Sequence, residues 1–251
     1  LLQSETVSES LIDISGQVAI ITGGSRGLGF AAARMLGQAG ATVVLVGKSM
    51  DTAQVASERL IAESIDAVPV AVDVSDADEV QRILGDHALA GQAEILINSA
   101  GVMSERMSKT LRTTPEEWKR VMSTNLDGVI NVTSVIAPHM AERRSGRIIN
   151  VSACLGRFSG PGLAGGLAPY RVSKAAVNAF TKNLAAEVGN GSRGVLVDAM
   201  CPNHSRTDMG GPDAPRSAEE GAETIVWLAR RELHAGIETG LLWEDRTIVP
   251  W

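Results

Sequence analysis

The feature that most restricts how this chain can fold is an apolar run that ends in a cluster of glycines. Gln17-Val-Ala-Ile-Ile-Thr22 has the length and composition of a buried strand, and it passes directly into Gly23-Gly24-Ser25-Arg26-Gly27-Leu28-Gly29. Residues 30–38 then read as a helix closed by Gly40. A strand, a glycine turn and a helix in succession aim free backbone N–H groups and a positive helix end at one point, which suits a phosphate. The glycines are spaced TGxxxGxG, not GxGxxG. A glycine-rich turn without a ligand is the plainer reading, but three glycines at one strand-to-helix junction weigh against it.

The rest of the chain repeats the alternation. Strand-like runs fall at residues 41–46, 67–72, 94–98, 147–153, 194–200 and 240–243. Helical stretches fall at 52–63, 77–89, 115–140, from 170 onward and at 218–231, with Asp51 expected to cap the first of these and Ser75 or Asp76 the second. Strands alternating with helices at this pace argue for a right-handed βαβ series and a parallel sheet. In NAD-type sites an acid near the end of the second strand binds the adenosine ribose. Here Gly47 and Lys48 stand in its place, and Arg26 adds a second cation, which suits a 2′-phosphate and so NADP over NAD.

Bulk properties exclude several classes. A length of 251 residues supplies a core that needs no disulfide or metal staples. A net charge of −6 argues against nucleic acid or an anionic membrane as the main partner, and no apolar run is long enough to span a bilayer. Residues 1–14 read as a polar arm without a signal pattern, ahead of one domain over residues 15–251. Cys154 and Cys201 form no CxxC, so a reducing cytoplasm is the expected setting. His87, His139, His204 and His234 have no metal-ligand spacing, and no metal is expected.

One motif carries chemistry. Tyr170 is the only tyrosine, and Lys174 follows it at four positions in a helical stretch, so a phenol and an ammonium share one face. Such a neighbour is expected to favour phenolate and lower the tyrosine pKa, giving a usable proton donor or acceptor. A half-buried tyrosine beside a surface lysine is the bland alternative. Asn125, amid apolar residues in a helical stretch, suggests a buried polar role, with a satisfied core asparagine as its alternative.

Together these pieces resemble the short-chain dehydrogenase/reductase family, and particularly its carbonyl reductases. The likeness rests on Thr22 to Gly29, Asp73-Val74, Asn98-Ser-Ala-Gly101, Asn125, the fifth strand, Tyr170-x-x-x-Lys174 and the Pro202 segment, and it covers nearly the whole chain. It implies a Rossmann-type, doubly wound α/β domain of about seven parallel strands with helices on both faces. It also implies hydride exchange between nicotinamide and a carbonyl or secondary alcohol of a small or medium molecule, in a homo-oligomer. Tyr170 would be the acid or base, Lys174 would lower its pKa and hold the nicotinamide ribose, and Asn125 would hold a water. The nucleotide would meet Gly23, Ser25, Arg26, Gly27, Leu28, Gly29, Lys48, Ser49, Asp73, Val74, Asn98, Ala100, Gly101, Pro202, Ser205 and Thr207, besides Tyr170 and Lys174.

Three departures stand out. Ala153 occupies the family's serine slot, and Ser152 beside it would face the other side of the strand. A shifted strand end or Ser159 are the candidates to supply the hydroxyl, and a cofactor-binding protein without catalysis is the rival reading. Pro202 is followed by Asn203 and His204 where Pro-Gly is usual, and the glycine-rich loop over residues 154–169 is longer than in many relatives. Substrate contacts are expected from residues 102–112, 154–169 and 203–217, with a lid over 210–216.

Overall fold

All the strand-like runs join one sheet. In a computed structural model, which describes residues 11–105 and 109–251, Val18–Thr22 (β1), Thr42–Gly47 (β2), Ala67–Ala71 (β3), Ala93–Asn98 (β4), Gly146–Val151 (β5), Val195–Cys201 (β6) and Leu242–Glu244 (β7) run parallel. Their order is β3-β2-β1-β4-β5-β6-β7. An eighth strand, Thr247–Val249 (β8), folds back antiparallel on β7. It adds to the seven expected strands, and its two-residue turn explains why it was missed. Asp245 and Arg246 both take positive φ (49° and 60°), a conformation usually signalled by Asn-Gly or Asp-Gly.

Side chains alternate between two cores, as the period of a strand requires. Ala19, Ile21, Val43, Leu45, Ile95, Ile97 and Ile149 enter one face, where Gly27–Gln38 (α1), Met50–Ile61 (α2) and Ala218–Ala229 (α7) pack. Val18, Ile20, Val44, Val46, Leu96 and Ile148 enter the other, against Ala77–Leu84 (α3), Gly128–Arg143 (α5) and Ala168–Glu187 (α6). Each helix is held by an amphipathic face more than by propensity.

Local chemistry corrects three boundaries. Asp51 lies in the first turn of α2 and Ser49 takes the cap position, so Asp51 is not the cap. Asp76 caps α3 by accepting the Glu79 N–H at 3.0 Å, and the helix stops at Leu84, ahead of Gly85. The long helix expected over 115–140 is α4, Pro115–Met122, then a π-helical turn over Ser123–Asp127, then α5. Of the arm expected over residues 1–14, the first ten lie outside the described residues. Ile12 donates its N–H to Arg230 O at 2.8 Å, and Ile14 is fully buried in the first core. Among the described residues no helix is long and apolar enough to cross a membrane.

Candidate active site

Strand order reverses between β1 and β4, so the segments leaving those strands diverge and open a crevice at their carboxyl ends. Gly23 takes φ +65°, and a Cβ there would stand 3.0 Å from Ala100 Cα. A Cβ on Gly29 would collide with Gly23 O, so the first turn of α1 packs directly on the corner. Gly27, at φ +55°, faces the Thr207 methyl, which would lie 3.2 Å from its Cβ. Thr22 Oγ1 accepts the N–H groups of Ser99 and Ala100 at 3.0 and 3.1 Å and pins the two strand ends together. Thr22 was not among the expected site residues, although it heads the glycine motif. The result is a cradle that added side chains would fill, at an α1 N-terminus that no side chain caps. A dinucleotide pyrophosphate fits that donor set.

The two expected cations at the adenosine end already have partners. Arg26 pairs with Asp208 at 2.7 Å, and both are exposed. Lys48 pairs with Asp73 at 2.6 Å. Partial burial raises the Asp73 carboxyl, but the Lys48 ammonium and the Ser75 hydroxyl and N–H outweigh it and hold it below its ordinary value. Ser49 is exposed at the head of α2, and Ser25 lies beside Gly47. Two expected contacts turn inward. The Asn98 amide donates to Thr133 Oγ1 (3.0 Å) and Asn150 Oδ1 (2.9 Å) inside the core. Val74 packs against Gly128, and its carbonyl accepts from Asn131.

Tyr170 sits in the first turn of α6 and is 6% exposed. Leu167 precedes the helix in a left-handed conformation (φ 55°) and supplies no cap, so Ser104, from the loop after β4, accepts the Tyr170 N–H at 3.1 Å. No local signal marks Ser104. Lys174 lies one turn on, its Nζ 5.8 Å from the Tyr170 ring centroid and donating to Val151 O at 2.8 Å. The expectation that the amine lowers the tyrosine pKa is overturned here. Burial raises the phenol, and burial lowers Lys174 to about 8. Desolvation of the charged forms outweighs their attraction at that separation.

Asn125 lies on the π-helical turn, which widens the helix and swings its side chain inward. It is fully buried, accepts the Val102 N–H at 2.7 Å, and donates to Val102 O and Ser173 Oγ at 2.9 and 3.1 Å. Ser152 belongs to the same cavity wall as Tyr170, but its hydroxyl is engaged with Asn178 Oδ1, to which it donates at 2.5 Å. Ala153 packs against Tyr170, and the residue facing the phenol therefore has no hydroxyl. β5 ends at Val151 without a shift, and Ser159 accepts from Arg157 and does not line the cavity, so neither candidate restores it.

A cavity of about 320 Å³ joins these pieces, lined by Leu28, Ser99, Gly101, Met103, residues 151–155, Tyr170, Lys174, Cys201 and residues 202–205, 207, 209 and 210. Pro202, Asn203, His204, Ser205 and Thr207 thus meet Tyr170 across one space. The His204 ring bonds Gly210 O at 2.8 Å, and Ser205 donates to Pro202 O. The expected lid is tied down by Arg206, which donates to Ala214 O and Pro215 O. In the long loop only Cys154 and Leu155 reach the cavity. The remainder is gathered by the Arg171 guanidinium, which donates to the carbonyls of Gly166, Leu155, Pro161 and Gly162.

The chain belongs to the short-chain dehydrogenase family, whose model, described as short chain dehydrogenase, matches residues 17–230. It is thereby an oxidoreductase of a class that works with a nicotinamide dinucleotide. Among curated proteins it is 35% identical over 198 residues to a 3-oxoacyl-(acyl-carrier-protein) reductase of Synechocystis sp., covering 78% of this chain and 77% of that one. It is 34% identical over 225 residues to the reductase of the same description from Pseudomonas aeruginosa, covering 88% and 87%. Among solved structures, a 3-oxoacyl-(acyl-carrier protein) reductase from Brucella melitensis with bound NAD superposes with a TM-score of 0.80 at 30% identity, covering 93% of this chain and 90% of that one.

Proposed function

We propose that this chain is a ketoreductase that moves hydride from NADPH to the carbonyl of a 3-oxoacyl-type or similar small substrate. The observation that carries this reading is a buried Tyr170–Lys174 pair lining a cavity whose wall also holds Leu28, from the glycine turn, and Thr207, which faces Gly27. The nicotinamide supplies the hydride when bound. Tyr170, kept protonated by burial, donates its phenolic proton to the substrate oxygen, which suits reduction more than oxidation. Lys174, held at Val151 O with its Nζ 5.8 Å from the Tyr170 ring centre, is the group that would return that proton. Asn125, locked to Val102 and Ser173, positions the backbone on which Gly101 faces Lys174. Thr207 and Ser205 stand where the carboxamide end would lie, and Gly23, Gly27 and Gly29 where the pyrophosphate would lie. Lys48 and Arg26 favour a 2′-phosphate, which would have to compete with Asp73 and Asp208. The apolar lining by Leu28, Met103, Leu155 and Met209 suits an acyl chain beside the carbonyl. Exposed Ile130 on α5 and Val172 on α6 fit a homo-oligomer built through those helices.

A second reading, a nucleotide-binding protein without turnover, is favoured by Ala153. Following NADPH absorbance with a 3-oxoacyl thioester and simple ketones separates the two. Turnover in the natural protein, raised in Ala153→Ser by up to about 10²-fold for one added carbonyl donor, supports the reductase. Tight NADPH binding with no turnover in either form supports the second reading, and equal affinity for NADH and NADPH removes the cofactor preference.

A further inference from the structure

Cys154 and Cys201 are remote in sequence, and the parallel pairing of β5 with β6 brings them together. Val151 lies opposite Met200, and the Ser152 N–H donates to Met200 O at 2.8 Å, so the two strands leave the sheet side by side. Cys201 ends β6 and is 1% exposed, while Cys154 opens a short 3₁₀ turn after β5 and is partly exposed. Both line the cavity that holds Tyr170. Cys154 is the more exposed of the two and so the thiol that a small oxidant meets first, and its neighbour's influence lowers Cys154 to about 7 while Cys201 is raised. Arg157 and Glu244, themselves paired at 3.3 Å, face Cys154 with opposite effects, and the Asn203 N–H donates to the Cys201 sulfur at 3.4 Å. No other cysteine is present in the chain.

We propose that Cys154 and Cys201 form a dithiol modification site in the cavity wall that a hydroperoxide converts to a disulfide. The Cys154 thiolate attacks the terminal peroxide oxygen; an S–O bond forms, the O–O bond breaks, and the alkoxide or hydroxide leaves with a proton. The Cys201 sulfur then attacks the Cys154 sulfenic acid; the S–S bond forms, and water leaves carrying the Cys201 proton. Overall two thiols lose two electrons and the peroxide gains them, giving one disulfide, one alcohol (or water) and one water. The bond ties the ends of β5 and β6 together next to Tyr170.

Hydrogen peroxide is the probe, applied to the full chain and followed by alkylation and mass spectrometry. The expected product is a monomer lighter by two hydrogens, with a Cys154–Cys201 cross-linked peptide that dithiothreitol reverses. Cys201→Ser is expected to accumulate a dimedone-trapped sulfenic acid at Cys154, and Cys154→Ser to react at least about tenfold more slowly than the natural chain. Circular dichroism checks that both variants are folded. Two free, alkylatable thiols after peroxide, a cross-link only between chains, or Cys154→Ser reacting as fast as the natural chain would each overturn the proposal.

Discussion

Two of the groups of polar side chains buried in this sheet are built in opposite ways. Near β6 and β7, the Arg231 guanidinium lies 5.3 and 4.8 Å from the Trp227 and Trp243 rings and donates to Asp198 at 3.2 Å. Asp198 also accepts from Thr239 and Leu241, and Arg147 directs its donors to Arg231 O and Gly146 O. Burial raises Asp198, and the facing guanidinium opposes that rise. Around Tyr170 no such matching exists. The phenol is raised and the amine lowered to about 8, with backbone carbonyls and thiols as neighbours in place of opposite charges. Asp198 and Arg147 are displaced as well, the first upward and the second down to about 10, but they are bonded inside the core, whereas Tyr170 and Lys174 line a cavity that a substrate can enter.

The sharpest test of that contrast is to damage each group and read both stability and turnover. Tyr170→Phe should lower kcat by about 10³-fold, within the range for a lost general acid, and leave the melting temperature unchanged or higher. Asp198→Asn should do the reverse, lowering unfolding free energy in urea by about 3–5 kcal/mol because a buried guanidinium loses the carboxylate charge it faces at 3.2 Å, with kcat per folded molecule preserved. Exchanged outcomes would break the comparison.

The Lys174 amine gives a smaller, graded effect. Folding lowers its pKa from 10.5 to about 8, so between those values the unfolded chain holds a proton that the fold does not. Stability should therefore rise with pH through that window, while kcat falls above about pH 8 as the amine loses the proton it would return to Tyr170. Lys174→Met should remove both trends in a pH series of urea melts and initial rates. The exposed Lys48–Asp73 pair belongs to neither group. Lys48→Ala should weaken NADPH binding by about tenfold, leave NADH binding unchanged, and alter stability by less than about 1 kcal/mol. Parallel titrations of both nucleotides check it.

Much of this was legible because it is local. The apolar runs, the glycine corner and the Tyr170–Lys174 spacing each lie within one short window, where strand and helix periods show directly. The π-helical turn at Ser123–Asp127 was not legible, because its residues have no propensity that separates it from an α-helix. Ser104, which holds the Tyr170 N–H across 66 positions, and the meeting of Cys154 and Cys201 in one cavity wall arise from pairings that exist only after the sheet closes. The inward turn of the Asn98 and Val74 side chains was not legible either, because a motif marks a position and leaves open which way its side chain turns. The direction of the Tyr170 shift was missed because the spacing told of the neighbouring amine and nothing of the burial.

The grip of Arg171 on the long loop has a mechanical consequence. Its guanidinium hangs four carbonyls of residues 155–166 from the position directly after the phenol, so the flap and the head of α6 form one lever. A ligand that presses on the flap therefore tilts the acid group with it, and lengthening the flap changes the aim of the proton as well as the width of the entrance.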